Sequence, residues 1–185
     1  MDRMLLGLLL FFGVHALPLL GGVRQRLIDT FGRPGYLALF SLGSLVGLWL
    51  MIEGYALIDN RILWSPLSFG RSLAQALMPL ALILVVAAYL PTLTRRYLRH
   101  PMLIGVGLWA SVHLLANGDL ASTLIFAPFL VYALLDMAFS RPRKTLIPHP
   151  KPQLLYDLLA LIVGLIAFGA LLFGHGLLFG VSLLA

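Results

Sequence analysis

Six runs of apolar residues fill most of this chain, and no other feature limits its folding as strongly. A helix needs about 20 apolar residues to cross the hydrocarbon core of a bilayer. Runs at roughly 4–22, 35–58, 72–92, 101–117, 120–139 and 153–183 satisfy that requirement. Inside lipid every backbone N–H and C=O must be bonded internally, which leaves helices as the structure for segments of this kind. Of the 185 residues, 61% are hydrophobic and 11% charged, too few polar side chains to cover a soluble core of this size. The sequence therefore predicts an all-α polytopic membrane helix bundle with about six transmembrane helices, forming one domain over 1–185. The opening "MDRMLLGLLLFFGVHALPLLGG" is read as a retained first span. Its charged region is weak for a secretory signal, its apolar run is long, and no A-x-A site follows.

The short connecting segments carry a topology signal. Those after runs one, three and five hold Arg24, Arg26 and Arg33, then Arg95, Arg96 and Arg99, then Arg141, Arg143, Lys144 and Lys151. The opposite side holds Arg3, Arg61 and Arg71. The positive-inside rule puts the first group in the cytoplasm and both termini on the outer side. The formal net charge of +6 is thus assigned to topology and contact with lipid headgroups, not to nucleic acid. The largest connection, 140–152, is rich in Pro, Lys and Arg and is expected to be extended at the membrane surface, with His149 solvated there.

Function must be sought among the polar groups left within the apolar runs. The chain has no cysteine, which removes disulfides, thiolate catalysis and iron–sulfur ligation. It shows no P-loop, no H-E-x-x-H and no G-x-S-x-G. What remains is histidine chemistry. On the fourth run one helical stripe reads Met102, Val106, Trp109, His113, Asn117, because residues four apart share a face. A buried neutral imidazole needs a partner or a metal. Asn117 is expected to accept from one ring nitrogen of His113 and leave the other for a ligand, the usual support of a metal-bound histidine. The competing reading is a core histidine bonded to a neighbouring helix.

His15 on the first run stands one turn from Phe11 and three residues before Pro18, which predicts a kink just beyond it and space for a planar group. A structural histidine at a bent helix is the alternative. His175 lies between Gly174 and Gly176 near the end of the sixth run, where that helix is expected to tilt or break. It is the reserve ligand. Gly43 with Gly47, and Gly176 with Gly180, have the four-residue spacing of close-packing faces. His100 belongs to Arg99–His100–Pro101, where Pro101 suits a first helical position. His100 and His113 face different ways around the helix, so they are not expected to share one ligand directly. Glu53 is marked as an acid within an apolar run, Asp119 as a helix cap, and Pro79 and Pro128 as residues that strip a carbonyl of its partner. Two imidazoles, no thiol and aromatic neighbours match haem better than copper or zinc.

The stretches "LLFFGVHALP", "LRHPMLIGVGLWASVHLLANGDLAS" and "FGHGLLFGVSLL" resemble the NnrU family of bacterial inner-membrane proteins, over essentially the whole chain. That family is associated with nitrite and nitric oxide reduction and is related to the plant 15-cis-zeta-carotene isomerase, which uses haem b. The resemblance implies His113 and His15 as axial haem ligands. His100, Trp109 and Asn117 are expected beside them at the cofactor on the reading of the residues themselves. The resemblance also implies a small gas or a hydrophobic polyene as the ligand within the bilayer. The isomerase has a cysteine where this chain has Ala110, so ligand switching of that kind is not expected. R-H-P-x-x-x-G is similar to a segment of isoprenylcysteine and phospholipid methyltransferases, which bind S-adenosylmethionine, but their paired glutamates are missing. The functions implied are a haem b protein of denitrification, a haem-dependent polyene isomerase, a membrane methyltransferase, or a non-enzymatic transporter or assembly factor.

Overall fold

In a computed structural model, residues 1–59, 61–139 and 151–184 are described. His149, and the surface connection expected around it, lie outside them. Among the described residues the chain is all-α, with seven helices: α1 (Asp2–Ala16), α2 (Gly21–Ala56), α3 (Gly70–Ala87), α4 (Leu93–Tyr97), α5 (Pro101–Ala116), α6 (Leu120–Phe139) and α7 (Leu154–Phe179). Four of them, α2, α3, α6 and α7, are long and apolar enough to cross a membrane. The two other expected spans are shorter, at 15 residues for α1 and 16 for α5. Large apolar side chains stay exposed along the long helices, as with Phe173, Ile166 and Leu177 on α7. That is the pattern of a protein whose outer surface meets lipid rather than water.

The residues form two compact units. The first holds Met1–Trp64 and Gly118–Pro128. Its α1 ends at Ala16 and the chain turns through Leu17–Leu19, with Leu19 N–H and Leu20 N–H both donating to Ala16 O. The kink expected beyond His15 is thus a helix end. Pro18 has no N–H to continue the ladder, so α1 stops there and a separate helix begins at Gly21. The arginine segment expected as a loop is helical: α2 starts at Gly21 and consists of two pieces meeting at Gly32. Gly32 has φ 69° and ψ 164°, a backbone conformation open to glycine and costly for a side chain, with Pro34 just beyond it.

Glycines set how closely α1 and α2 approach. A Cβ at Gly7 would stand 2.7 Å from Gly47 O and 2.7 Å from Met51 N, one at Gly47 would meet Phe11 N at 2.8 Å, and one at Gly54 would collide with Met4 N. Gly43 faces Val14 at 2.9 Å. The expected Gly43–Gly47 face therefore exists, and it runs antiparallel along the whole of α1. Backbones this close gain dispersion contacts that a bilayer cannot replace. Met4 and Met51 fill the seam and are buried. At one end of it Arg3 Nη1 and Glu53 Oε2 are 3.4 Å apart, with 60% and 44% of their side chains exposed. Exposed pairs contribute little, so Glu53 is a surface partner, not an acid held in the core. The unit closes where Ile62 bridges Asp119, with Leu63 N donating to Gly118 O at 2.7 Å and Leu120 N to Arg61 O at 2.9 Å. Asp119 caps α6 as expected, accepting from Ser122 N at 2.8 Å.

The second unit, Ser65–Asn117 with Phe129–Ala185, is built on α3. A Cβ at Gly105 of α5 would lie 2.6 Å from Ala81 O, and one at Gly164 of α7 would lie 2.6 Å from Ile83 Cγ1. Both helices thus use a glycine to reach α3. The second glycine pair does not behave as expected. Gly180 ends α7 in the left-handed conformation at φ 73°, and a Cβ there would meet nothing within 4 Å. Nor does α7 break at Gly174–Gly176. It runs unbroken to Phe179 because each peptide N–H there still has its partner one turn back.

Asp157 ties α7 to α4. Its carboxylate accepts from Leu93 N at 2.7 Å, Thr94 N at 2.9 Å and Thr94 Oγ1 at 2.7 Å, satisfying donors at the start of a five-residue helix. Thr92, buried to 1% exposure, accepts from Arg95 N and donates to Ala87 O. So short a helix has little stability of its own. Asp157→Ala is expected to cost on the order of 1–2 kcal/mol after allowance for solvent. It should speed amide hydrogen exchange at Leu93 and Thr94 while leaving α3 unaffected. Unchanged exchange at those two amides would show that α4 is held by something else.

Candidate functional site

Three histidines repeat one local arrangement. His15 Nδ1 lies 2.8 Å from Phe11 O, His113 Nδ1 lies 2.8 Å from Trp109 O, and His175 Nδ1 lies 2.8 Å from Val181 O. A carbonyl oxygen only accepts, so in each ring Nδ1 carries the hydrogen and the neutral imidazole has its lone pair on Nε2. The first two are i to i−4 bonds within a helix, to the carbonyl one turn back. This orients the ring and fixes its tautomer, which is how metal-binding imidazoles are commonly supported.

Aromatic rings frame each imidazole. Phe11 stacks on His15, with ring centres 4.1 Å apart and planes at 20°, and Phe40 of α2 lies 5.0 Å away. Trp109 lies 5.5 Å from His113 and meets Phe129 of α6 edge-on at 5.3 Å. Phe179 lies 4.8 Å from His175. These apolar walls are the kind that flank a flat macrocycle or keep water from an imidazole.

The expected role of Asn117 is corrected. It accepts nothing from the His113 ring. Its side-chain Nδ2 donates to His113 O at 2.9 Å, and its backbone N donates to the same oxygen at 2.9 Å. Asn117 is the extended C-cap of α5, where the last carbonyls lack helical partners. Its amide satisfies the backbone, and the ring is held by Trp109 instead.

His15 belongs to the first unit, and His113 and His175 to the second. His100 stands apart as the N-cap of α5, with buried Pro101 at the first helical position. Its Nε2 is buried and has no hydrogen-bond partner. Among the described residues no three His, Cys, Asp or Glu side chains form a metal-binding group. A porphyrin iron needs only one or two protein ligands, since the macrocycle supplies four nitrogens, so the imidazoles with Nε2 lone pairs fit haem better than a bare ion.

Asp136 of α6 is not among the residues singled out above. An acid within an apolar run is the same signal that marks Glu53, and here the acid is buried, at 9% exposure. Tyr132 OH donates to Asp136 Oδ2 at 3.4 Å, while Oδ1 has no partner.

The helices and their buried polar groups define an all-α, multi-pass membrane protein whose candidate chemistry is borne by imidazoles. The model of a family described as NnrU protein matches residues 3–183, and the chain belongs to that family. No curated protein and no solved structure matches it.

Proposed function

We propose that the protein binds haem b in the bacterial inner membrane and serves nitrite or nitric oxide reduction, with His113 as an axial ligand. The observation that carries this reading is the shared posture of the three histidines. Each holds Nδ1 on a backbone carbonyl at 2.8 Å, which directs the lone pair to Nε2 among aromatic rings. Membership of the NnrU family supports the link to nitrogen oxides. Haem b, when bound, supplies one-electron chemistry that no side chain of a cysteine-free chain provides. The protein's part is to orient the imidazoles, exclude water with Phe11, Trp109 and Phe129, and set the polarity around the iron.

His15 is the second ligand in the reading that follows the family likeness. His175 is the second ligand in the alternative reading, in which both imidazoles belong to one unit. An absorption spectrum of the purified protein tests the cofactor. One Soret-absorbing haem per chain is expected, and a colourless protein from haem-replete cells would refute it.

Both termini are assigned to the periplasm by the excess of arginine and lysine in the connections on the other side. A C-terminal fusion to a reporter active only outside the cytoplasm is expected to be active. A fusion active only with a cytoplasmic reporter would reverse the orientation.

A further inference from the structure

Gly32, at φ 69° and ψ 164°, divides α2 into a piece over 21–31 and a piece over 33–56. The second piece is about 35 Å long, enough for the roughly 30 Å core of a bilayer. Gly32 therefore stands at the boundary between hydrocarbon and headgroups. The direction of the first piece follows from two contacts. In an unbroken helix Arg24 and Tyr36 would be about 18 Å apart along the axis, yet the Arg24 guanidinium lies over the Tyr36 ring at 5.7 Å. The first piece thus folds back across the second. The other contact sets heights, since His15 is level with Phe40, their ring centres 5.0 Å apart. Gly32 precedes Phe40 by about 12 Å of helix, and Leu20, reached from His15 by way of a turn, stands roughly 4–8 Å beyond that level. The piece between them has about 15 Å of helix and gains about half of that height or less. It lies more across the end of the α1–α2 pair than along it, in the plane of the membrane surface.

Its side chains are sorted to match. Leu20, Val23, Leu27 and Phe31, spaced three, four and four residues apart, make one stripe. Leu20 is 55% exposed, Val23 39% and Phe31 54%. Gln25, Arg26, Asp29 and Thr30 take the opposite side and are exposed as well. There Gln25 Nε2 donates to Asp29 Oδ1 at 2.7 Å and Thr30 Oγ1 to Arg26 O at 2.9 Å. Arg24 and Ile28 fill the flank between, half-buried, where Tyr36 is met. An apolar stripe under a polar face is the surface of a helix that rests in the headgroup region with its stripe in the acyl boundary. Charge then selects among headgroups. Arg24, Arg26 and Arg33 outnumber Asp29, which Gln25 engages on the water side. Arg26 and Arg33 are exposed, and each arginine near an anionic surface gains about fivefold in affinity. We propose that the 20–33 segment is an interfacial helix that binds the headgroups of anionic phospholipids through Arg26 and Arg33, with Val23 and Phe31 among the acyl chains. The binding is independent of haem.

The chain has no native cysteine, so single labels test this in the full chain in nanodiscs. Val23→Cys, Leu27→Cys and Phe31→Cys carry a nitroxide on the stripe, and Gln25→Cys and Asp29→Cys carry one on the opposite side. Stripe labels are expected to relax more with oxygen than with a water-soluble nickel chelate, and the opposite labels the reverse. Nickel access at every label would overturn the proposal, because the helix would then stand in water. Protection of the stripe from both reagents would also overturn it, because protein, such as a second copy of this chain, would then cover the stripe. Lipid selection is read from bimane at Phe31→Cys, quenched by dibrominated lipids. Phosphatidylglycerol should bind at least about fivefold more tightly than phosphatidylcholine, and adding Arg26→Gln with Arg33→Gln should bring that ratio to about one. Equal affinity with both arginines present, or a preference that survives both substitutions, would refute the headgroup assignment. Far-UV circular dichroism checks folding. Should half-buried Leu27→Cys unfold, the exposed sites Val23→Cys and Phe31→Cys decide the depth.

Discussion

Haem content is expected to fall by about tenfold or more in His113→Ala, measured as Soret absorbance per chain after purification from haem-replete cells. The magnitude follows from metal sites in general. Removing a group that merely orients a ligand lowers affinity by about 10–100-fold, and His113 is the ligand itself. The parallel variants His15→Ala and His175→Ala decide the partner. Loss of the low-spin spectrum in one, with the other unchanged, names the second imidazole. Asn117→Ala should retain the cofactor, because its amide bonds the His113 backbone and not the ring. Full haem content in His113→Ala would remove the basis of the proposed function, leaving the histidines as structural residues.

The second large effect concerns the seam between α1 and α2. Gly7→Leu is expected to destabilise the first unit by about 3 kcal/mol, the upper part of the range for overpacked sites. The new Cβ would press on Gly47 O and Met51 N at 2.7 Å each. Both are backbone atoms of a long helix and cannot rotate away, so α1 must withdraw along its length. Gly13→Leu is the matched control on the same helix. A Cβ there meets nothing within 4 Å, and replacing glycine improves helix propensity. Its effect should be near zero or stabilising. Unfolding in mixed SDS micelles, followed by circular dichroism, measures both. Similar stabilities for the two variants would mean that α1 and α2 do not pack through this glycine seam. Because His15 sits on α1, beside Phe40 of α2 at 5.0 Å, Gly7→Leu also tests the site. If His15 is an axial ligand, haem should be lost with the seam.

Much was legible from residue order because it depends on local rules. Apolar runs of about span length must be helical wherever water is excluded. That rule located α3, α5, α6 and α7 to within a few residues, and four of the described helices are long and apolar enough to cross a membrane. Pro101 at the start of α5, Asp119 at the start of α6 and Gly43–Gly47 on α2 followed from the chemistry of single positions. The histidines could be named because an ionisable side chain in an apolar run is rare and conspicuous. Pro18 could be read as an interruption, but whether the chain bends or reverses depends on what α1 packs against. The helix ends there, and the break at Gly32 brings the second piece of α2 back along α1, where Gly7, Gly47 and Gly54 let the two pack closely.

The partners of polar groups were decided only in three dimensions. Asn117 stands one turn from His113 in any helix, yet the choice between ring and carbonyl depends on where α5 ends. An open last turn offers unsatisfied carbonyls, and the amide takes one. Likewise Asp157 serves α4 across more than 60 residues of sequence. Apolar patterning selects which segments enter the membrane, since burial depends on how much surface leaves water and hardly at all on direction. Hydrogen bonds require a particular donor at a particular angle, and folding alone brings such groups together.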